Sequence, residues 1–471
     1  MTVGPRSFAA VVALTVAAFL LRLAVVWTEH PLGTDGYYYV VQIEDWAALG
    51  RLHVPDSSWV LRVLALPHLL GLDPVASLAV AACGLAALVT PAAWALGAQR
   101  SETHAWLLAI LAAGSPTLTH LTADFPKNLG AVAPLVGLLA ALVAARRGSR
   151  RAWGVAVVLA LLAATAHRLG AVFVGLIIAS LVVQRLSLRA WLLAGLGVSG
   201  FAAASALLPS LLHPADLHRL DGQLRAVPWP LAPLGFLPLR PFHAVQVAEL
   251  GAAWLALCAA PRAWRHDRPG ATVASAWLLV ALFPFWSHDS LDLGYRLLLM
   301  APLGGWAMLA ALPAPTAPPR PALLGAATLW LGAAPLSFDP SLTPPYDRYD
   351  QLITRIPRPL PALVIAHRGI NFLYDHRTGA EAMAWAPDDA LDPTTVGRIA
   401  WGIRPGEWAS VLQAHHPAVV SLGADYHYVR EDLWQALLAE AEATDDDGLL
   451  ARMHHPNNPH RQRPSALTRG R

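Results

Sequence analysis

The 471-residue chain is short of charge: Asp, Glu, Lys and Arg make up 14% of it, against roughly 25% in a soluble domain. That leaves too little solvated surface to cover a water-soluble fold of this length. Lysine is nearly absent; Lys127 is the only one, and every other basic side chain is Arg or His. The only cysteines, Cys83 and Cys258, each lie inside an apolar run, which excludes a disulfide framework and a CxxC metal site. Walker and Rossmann phosphate loops, an HExxH sequence, Cys/His clusters and internal repeats are also missing. Nucleotide-dependent and zinc-hydrolase chemistries therefore have no foothold, and no cofactor is expected, with a divalent metal left open.

Apolar residues fill the gap: 55% of the chain is hydrophobic and the mean hydropathy is +0.45. A bilayer core about 30 Å thick needs about 20 apolar residues per helix. The runs predict spans at 8–27, 75–98, 104–122, 128–145, 152–166, 169–184, 190–211, 246–260, 271–286, 295–312 and 321–336. The run Phe8–Trp27 is too long for a signal-peptide core and no A-x-A-like site follows it, so it reads as a retained helix. Arg6, Arg100, Arg146, Arg147, Arg150, Arg151, Arg185, Arg189, Arg262, Arg265, Arg268 and Arg320 all fall on one side of these spans, which is cytoplasmic by the positive-inside rule. Glu29, Asp35, Glu44, Asp45, Asp56, Asp124, Asp216, Asp221, Asp289 and Asp292 fall on the other. This distribution argues for a bilayer partner and against nucleic acid, despite a net charge of +3. An odd number of spans makes a multi-pass plasma (inner) membrane protein with a cytoplasmic N-terminus and an extracytoplasmic C-terminal domain.

The expected fold is mainly α: a polytopic transmembrane bundle of about eleven helices over 1–337, with a first external loop at 28–74. A small soluble α/β domain follows over 338–443. In it Tyr346–Ile356, 406–415 and 429–443 read as helices, and 362–366 and 418–422 as buried strands. The tail 444–471, acidic and then basic and rich in Pro and Asn, reads as disordered.

Chemistry-bearing residues gather on the outer side. Thr34-Asp35-Gly36-Tyr37-Tyr38-Tyr39 opens a helix that Thr34 is placed to cap and Gly50 to end. Tyr39, Ile43 and Trp46 share one face of it, suited to a helix lying on the membrane surface. Asp35 sits where the macrodipole favours a carboxylate, as a helix cap or as a base for a hydroxyl or amine. A second corner reads Asp124-Phe125-Pro126-Lys127-Asn128, where Lys127 is either a snorkelling partner of Asp124 or a point charge for a phosphate. His167-Arg168 joins two apolar runs, Arg296 follows Asp289, Asp292 and Tyr295, and Arg22 lies within the first run, where an ionisable residue is a functional candidate. Each alone is accounted for by a structural ion pair. Together, several cations and one exposed acid fit displacement of a sugar from a polyprenyl phosphate, which needs a base for the nucleophile and positive charge for the departing phosphate. His367-Arg368, after the first predicted strand, is either a ligand contact or a solvated pair.

Arg22-Leu23 in the first span, followed by Asp35-Gly36-Tyr37-Tyr38-Tyr39, resembles the GT-C superfamily of membrane glycosyltransferases, which includes protein O-mannosyltransferases and the lipid A aminoarabinose transferase. Asp124–Asn128 and Gly294-Tyr295-Arg296 resemble corners of bacterial members, and Trp59–Gly71 would be a juxtamembrane helix of the first loop. The resemblance covers residues 8–335. It implies inverting transfer from a lipid-linked sugar donor to a glycan, lipid or protein acceptor, with Asp35 as catalytic base. Lys127, Arg168 and Arg296 would hold the donor phosphate, supported by Arg22, Tyr38 and His167. Many members carry Asp-Glu or Glu-Glu where this chain has Asp35-Gly36, so a second acid would come from Glu44, Asp45 or Asp124. The rival readings are a transporter or flippase for a lipid-linked or anionic solute, and a catalytically silent GT-C-like scaffold.

Overall fold

The computed structural model describes residues 5–33, 35–54, 56–184, 241–282, 293–313, 320–333, 343–356, 363–367, 371–380, 382–385, 419–422 and 426–429, with residues 335 and 439 singly. Within them the chain is mainly helical and carries one small sheet. The expected span 190–211, the expected helix 406–415 and the tail 444–471 lie outside the described residues. The chain divides into two compact units, one of Met1–Trp27, Ser57–Val63 and Ala79–Asp339, the other of Thr28–Asp56, Leu64–Leu78 and Pro340–Arg471.

In the first unit the apolar runs become helices: α1 (Pro5–Val26), α4 (Pro74–Ala87, entered from the second unit), α5 (Val89–Ala98), α6 (Glu102–Ala113), α7 (Pro116–Asp124), α8 (Pro126–Arg146), α9 (Arg150–Ala166), α10 (Arg168–Val183), α11 (Pro241–Cys258), α12 (Ala260–His266), α13 (Arg268–Leu282), α14 (Leu293–Leu298), α15 (Ala301–Ala311) and α16 (Arg320–Ala333). α2 (Gly36–Leu49) belongs to the second unit, and α3 (Trp59–Leu69), an apolar helix of 11 residues, is divided between the two. Three helical stretches among the described residues, Arg6–Val26, Pro74–Ala98 and Pro126–Arg146, are long and apolar enough to cross a membrane, and the bent pair α6–α7 would make a fourth. Large apolar side chains stand outward along them and their neighbours, including Phe8, Val157, Leu161 and Leu255, as expected where lipid rather than water is the solvent. These are the properties of a membrane protein.

The break between α6 and α7 has a local cause. Pro116 has no N–H to continue α6, and Ser115 takes an extended conformation and caps α7 by accepting from Leu118 N at 3.2 Å. The two axes bend by 41°. A break inside an apolar bundle frees carbonyls on one side and amides on the other, and two buried charges answer them. Arg22 of α1, fully buried, donates to Ala112 O (3.0 Å), Ser115 O (3.4 Å) and Ala18 O (3.1 Å). Glu249 of α11, 5% exposed, accepts from Ser115 Oγ at 2.7 Å and from Thr117 N at 2.9 Å.

The second unit holds α2, α17 (Tyr346–Ile353), α18 (Asn371–Thr378) and strands β1 (Leu363–His367), β2 (Met383–Trp385), β3 (Val419–Leu422) and β4 (Tyr426–Val429). The strands form one sheet in the order β2-β1-β4-β3. β1 and β2 are parallel, joined through α18, while β4 runs antiparallel to both β1 and β3. The two apolar runs expected as strands are β1 and β3. Val429, expected to begin a helix, instead ends β4, whose register places it opposite Leu363 and Val419.

Removing the Glu249 carboxylate strips α7 of two charge-assisted hydrogen bonds and removes a buried carboxylate that bears on the Arg22 charge. Glu249→Ala is expected to cost roughly 3–5 kcal/mol in unfolding of the detergent-purified protein, and Glu249→Gln, which keeps an acceptor, less than half of that. Equal losses in the two variants would refute the capping assignment.

Candidate functional site

The second unit contains the expected base. Asp35 occupies the N-cap position of α2 and makes no side-chain cap hydrogen bond. The first turn instead closes through backbone groups, Tyr39 N to Asp35 O at 3.3 Å. Thr34, expected as the cap, lies outside the described residues, and Gly50 ends the helix in a left-handed conformation as expected (φ 66°). Beside Asp35 the Tyr38 phenol is held above its usual pKa, mainly by burial, then by the Asp56 and Asp35 carboxylates, with a Gln42 hydrogen bond opposing. Tyr38 therefore stays a neutral phenol, able to donate. Asp56 was not among the second-acid candidates from sequence, yet it shares Tyr38 with Asp35; its place beyond the helix, some 20 residues on, gives no pattern that would single it out.

The candidates Glu44 and Asp45 have other tasks in this unit. Glu44 Oε1 lies 2.9 Å from His376 Nδ1, on α18. Asp45, 4% exposed, lies 3.0 Å from His53 Nδ1, and His53 Nε2 reaches Asp375 Oδ2 at 3.4 Å. His30 is held the same way, between Tyr37 Oη (2.7 Å) and Asp347 Oδ1 (2.9 Å). Tyr346 donates to Gly33 O at 2.9 Å and packs edge-on against Tyr37. α2 is thus packed into protein: Tyr39 is 5% exposed, Ile43 fully buried and Trp46 half-buried, so the face expected to rest on headgroups is largely covered by protein.

Gly36 leaves little room for a side chain. A Cβ there would stand 2.8 Å from Pro31 Cβ and 2.9 Å from Pro31 Cγ, both in a rigid ring. No acidic side chain fits at this position.

In the first unit a basic corner forms where α7 meets α8 and α9 meets α10. Phe125 and Pro126 turn the chain out of α7, and Pro126 opens α8, so Lys127 and Asn128 sit in its first turn. His167 ends α9 and caps α10, its Nδ1 accepting from Leu169 N at 3.2 Å. The two corners meet because Gly170 lets α10 close on α8 and α9: a Cβ there would strike the Ala163 carbonyl oxygen and stand 3.0 Å from Ala131 Cβ. Arg296 of α14 lies with its guanidinium carbon 4.7 Å from the centre of the Phe125 ring. The start of α3 packs here too, Ser58 Oγ donating to Ala166 O at 2.5 Å and Trp59 Nε1 to Leu162 O at 2.9 Å.

His167 registers the charge of this corner. Burial first, then Lys127, Arg296 and Arg168, hold its imidazole well below the usual histidine range. His167 is thus a neutral cap and not itself a cation for phosphate. Two buried donors in the corner, Asn128 Nδ2 and Arg296 Nε, have no hydrogen-bond partner among the described residues, a state that costs about 1–3 kcal/mol each unless a ligand answers it. Asp124 lies at the edge, 3.9 Å from His120 Nε2. Arg22 is placed apart in function, committed to backbone carbonyls of the α6–α7 break.

Sequence reasoning missed Glu249, although the rule that singled out Arg22, an ionisable residue within an apolar run, applies equally to it. Of the loop pair His367-Arg368, His367 ends β1 and Arg368 lies outside the described residues. No family model, curated protein or solved structure matches the chain.

Two outcomes follow. Gly36→Glu should destabilise the protein by about 1–3 kcal/mol through overpacking against Pro31, measured by chemical unfolding, whereas Asp35→Asn should leave stability within error. The His167 imidazole should remain unprotonated well below pH 6.5 in a histidine NMR titration, and Lys127→Gln should raise its pKa by removing a neighbouring positive charge. Because the folded pKa lies below the unfolded one, the contribution of neutral His167 to stability is present above about pH 6.5 and is lost as pH falls below it.

Proposed function

We propose that the protein is an inverting glycosyltransferase of the GT-C type, moving a sugar from a polyprenyl-phosphate donor to an acceptor of the cell envelope. The observation that carries this reading is the basic corner, where Lys127, Arg168 and Arg296 gather at two helix starts beside the orphan donors Asn128 Nδ2 and Arg296 Nε. Helix N-termini and such donors suit a phosphate. In the reaction Asp35 takes the proton of an acceptor hydroxyl and the freed oxygen attacks the anomeric carbon. The carbon–oxygen bond to phosphate breaks with inversion, and the phosphate leaves with its charge met by the three cations. Tyr38, kept neutral, is available to donate to the acceptor or to Asp35. The reading includes the eleven-span topology, a cytoplasmic N-terminus in the plasma membrane, and an extracytoplasmic α/β domain that contacts the acceptor or shields the site.

A second reading has its own observation. The broken helix α6–α7 with buried charges at both cut ends resembles the interrupted helices of transporters, and supports a carrier of a lipid-linked or anionic solute.

The deciding experiment is transfer of radiolabelled sugar from a panel of polyprenyl-phosphate donors by purified protein. Labelled product is expected from the wild type, with at least a 100-fold loss in Asp35→Asn, since general-base catalysis contributes on the order of 100-fold or more. Lys127→Gln should raise the donor KM more than the acceptor KM. Product formation at the wild-type rate by Asp35→Asn would remove Asp35 as base, and donor movement across vesicles without product would favour the carrier.

A further inference from the structure

We infer that the arginine-rich end of the first unit carries a binding site for an anionic membrane lipid, separate from the basic corner. A small surface cleft lies between α5, α8, α10, α13 and α15. Its walls are apolar, with Leu139 and Val143 of α8 and Val273 of α13 among them, and its polar groups are Arg100, Arg146 and Asp267. A lining apolar along its depth and charged at one end matches an acyl chain with its headgroup, and basic pockets between membrane helices take anionic headgroups.

Charge complementarity sets the sign of that headgroup. Arg100, in the turn between α5 and α6, pairs with Asp267, and Arg146 stands 3.8 Å from the same carboxylate. Asp267 is 9% exposed and serves two guanidinium groups at once. Arg147 adds a third positive charge, near enough that it and Arg146 reinforce the effect of burial in depressing the basicity of Arg100. Arg100 Nε is buried and has no hydrogen-bond partner among the described residues. One carboxylate thus faces two arginines at the mouth of a greasy cleft, with Arg147 bearing on Arg100, and a lipid phosphate would add negative charge and an acceptor for Arg100 Nε. The site needs no sugar transfer and stands whether or not that reading does.

Native mass spectrometry of the full chain, titrated with phosphatidylglycerol or phosphatidylcholine of identical acyl chains, tests this. One phosphatidylglycerol is expected to be retained about tenfold more tightly than phosphatidylcholine, and Arg146→Gln to lose about fivefold of that preference, the effect of one basic residue near a lipid headgroup. Val143→Trp, which fills the cleft, should lower retention of both lipids; it decides the matter alone if Arg146→Gln does not fold. Equal retention of the two lipids, or a preference unchanged in both variants, would overturn the site. Displacement of bound lipid by millimolar inorganic phosphate, irrespective of chain length, would overturn it in favour of a free-phosphate pocket.

Discussion

A helix broken in apolar surroundings must have its cut ends satisfied by the protein, because no water is there to do it. The interruption at Ser115-Pro116 imposes this on the first unit, and the solution dictates much else. Arg22 meets the carbonyl end of α6, where the helix dipole is negative, and Glu249 meets the amide end of α7, where it is positive. α1 and α11 are thereby tied to one point on the α6–α7 pair. The direction of α7 then fixes where Phe125 and Pro126 turn the chain, and so where Lys127 and Asn128 open α8. The basic corner is downstream of the break.

A different device organises the second unit. His30, His53 and His376 each sit against a carboxylate, and each pairing joins the segment 28–56 or its neighbours to α17 or α18. Arg377 adds a two-point contact to Asp350, its Nε donating to Oδ1 at 2.8 Å. These polar pairs tie the first loop to α17 and α18. Their consequence is chemical as well as structural. Glu44 and Asp45 face histidines, whereas Asp35 makes no cap bond to its own helix and shares Tyr38 with Asp56.

The apolar runs made the helices legible from sequence, since length and hydropathy alone govern them, and the helix starts and stops followed Pro, Ser and Gly. β1 and β3 were legible for the same reason: ALVIA and AVVSL are short, branched and bounded by breakers. β4 was not, because YHYV alternates polar and aromatic residues and becomes a strand only by lying between two others. Nor was the burial of Tyr39 and Ile43, for an amphipathic face looks the same whether protein or headgroup covers it. The need for glycine at 36 depends on the ring of Pro31, a contact no spacing rule encodes. Glu249 was visible in principle, as a carboxylate in the middle of an apolar run.

The broken helix bears on the choice between enzyme and carrier. In transporters the half-helix ends at the break are left for the substrate and its coupling ion. Here the protein occupies them itself: the Arg22 guanidinium donates to three carbonyls and both Glu249 oxygens accept. A solute using these ends would first have to displace a buried arginine and a buried glutamate, each anchored by charge-assisted hydrogen bonds worth roughly 1.5–3 kcal/mol. Buried polar atoms without a partner among the described residues occur at both places, Arg22 Nε and Thr117 Oγ1 at the break and Asn128 Nδ2 and Arg296 Nε at the Lys127 corner. The difference between them is in charge: the break sets one arginine against one glutamate, whereas Lys127, Arg168 and Arg296 all bear on His167 at the corner. The occupied cut ends make the break a joint of the bundle, and it does not by itself support the carrier reading.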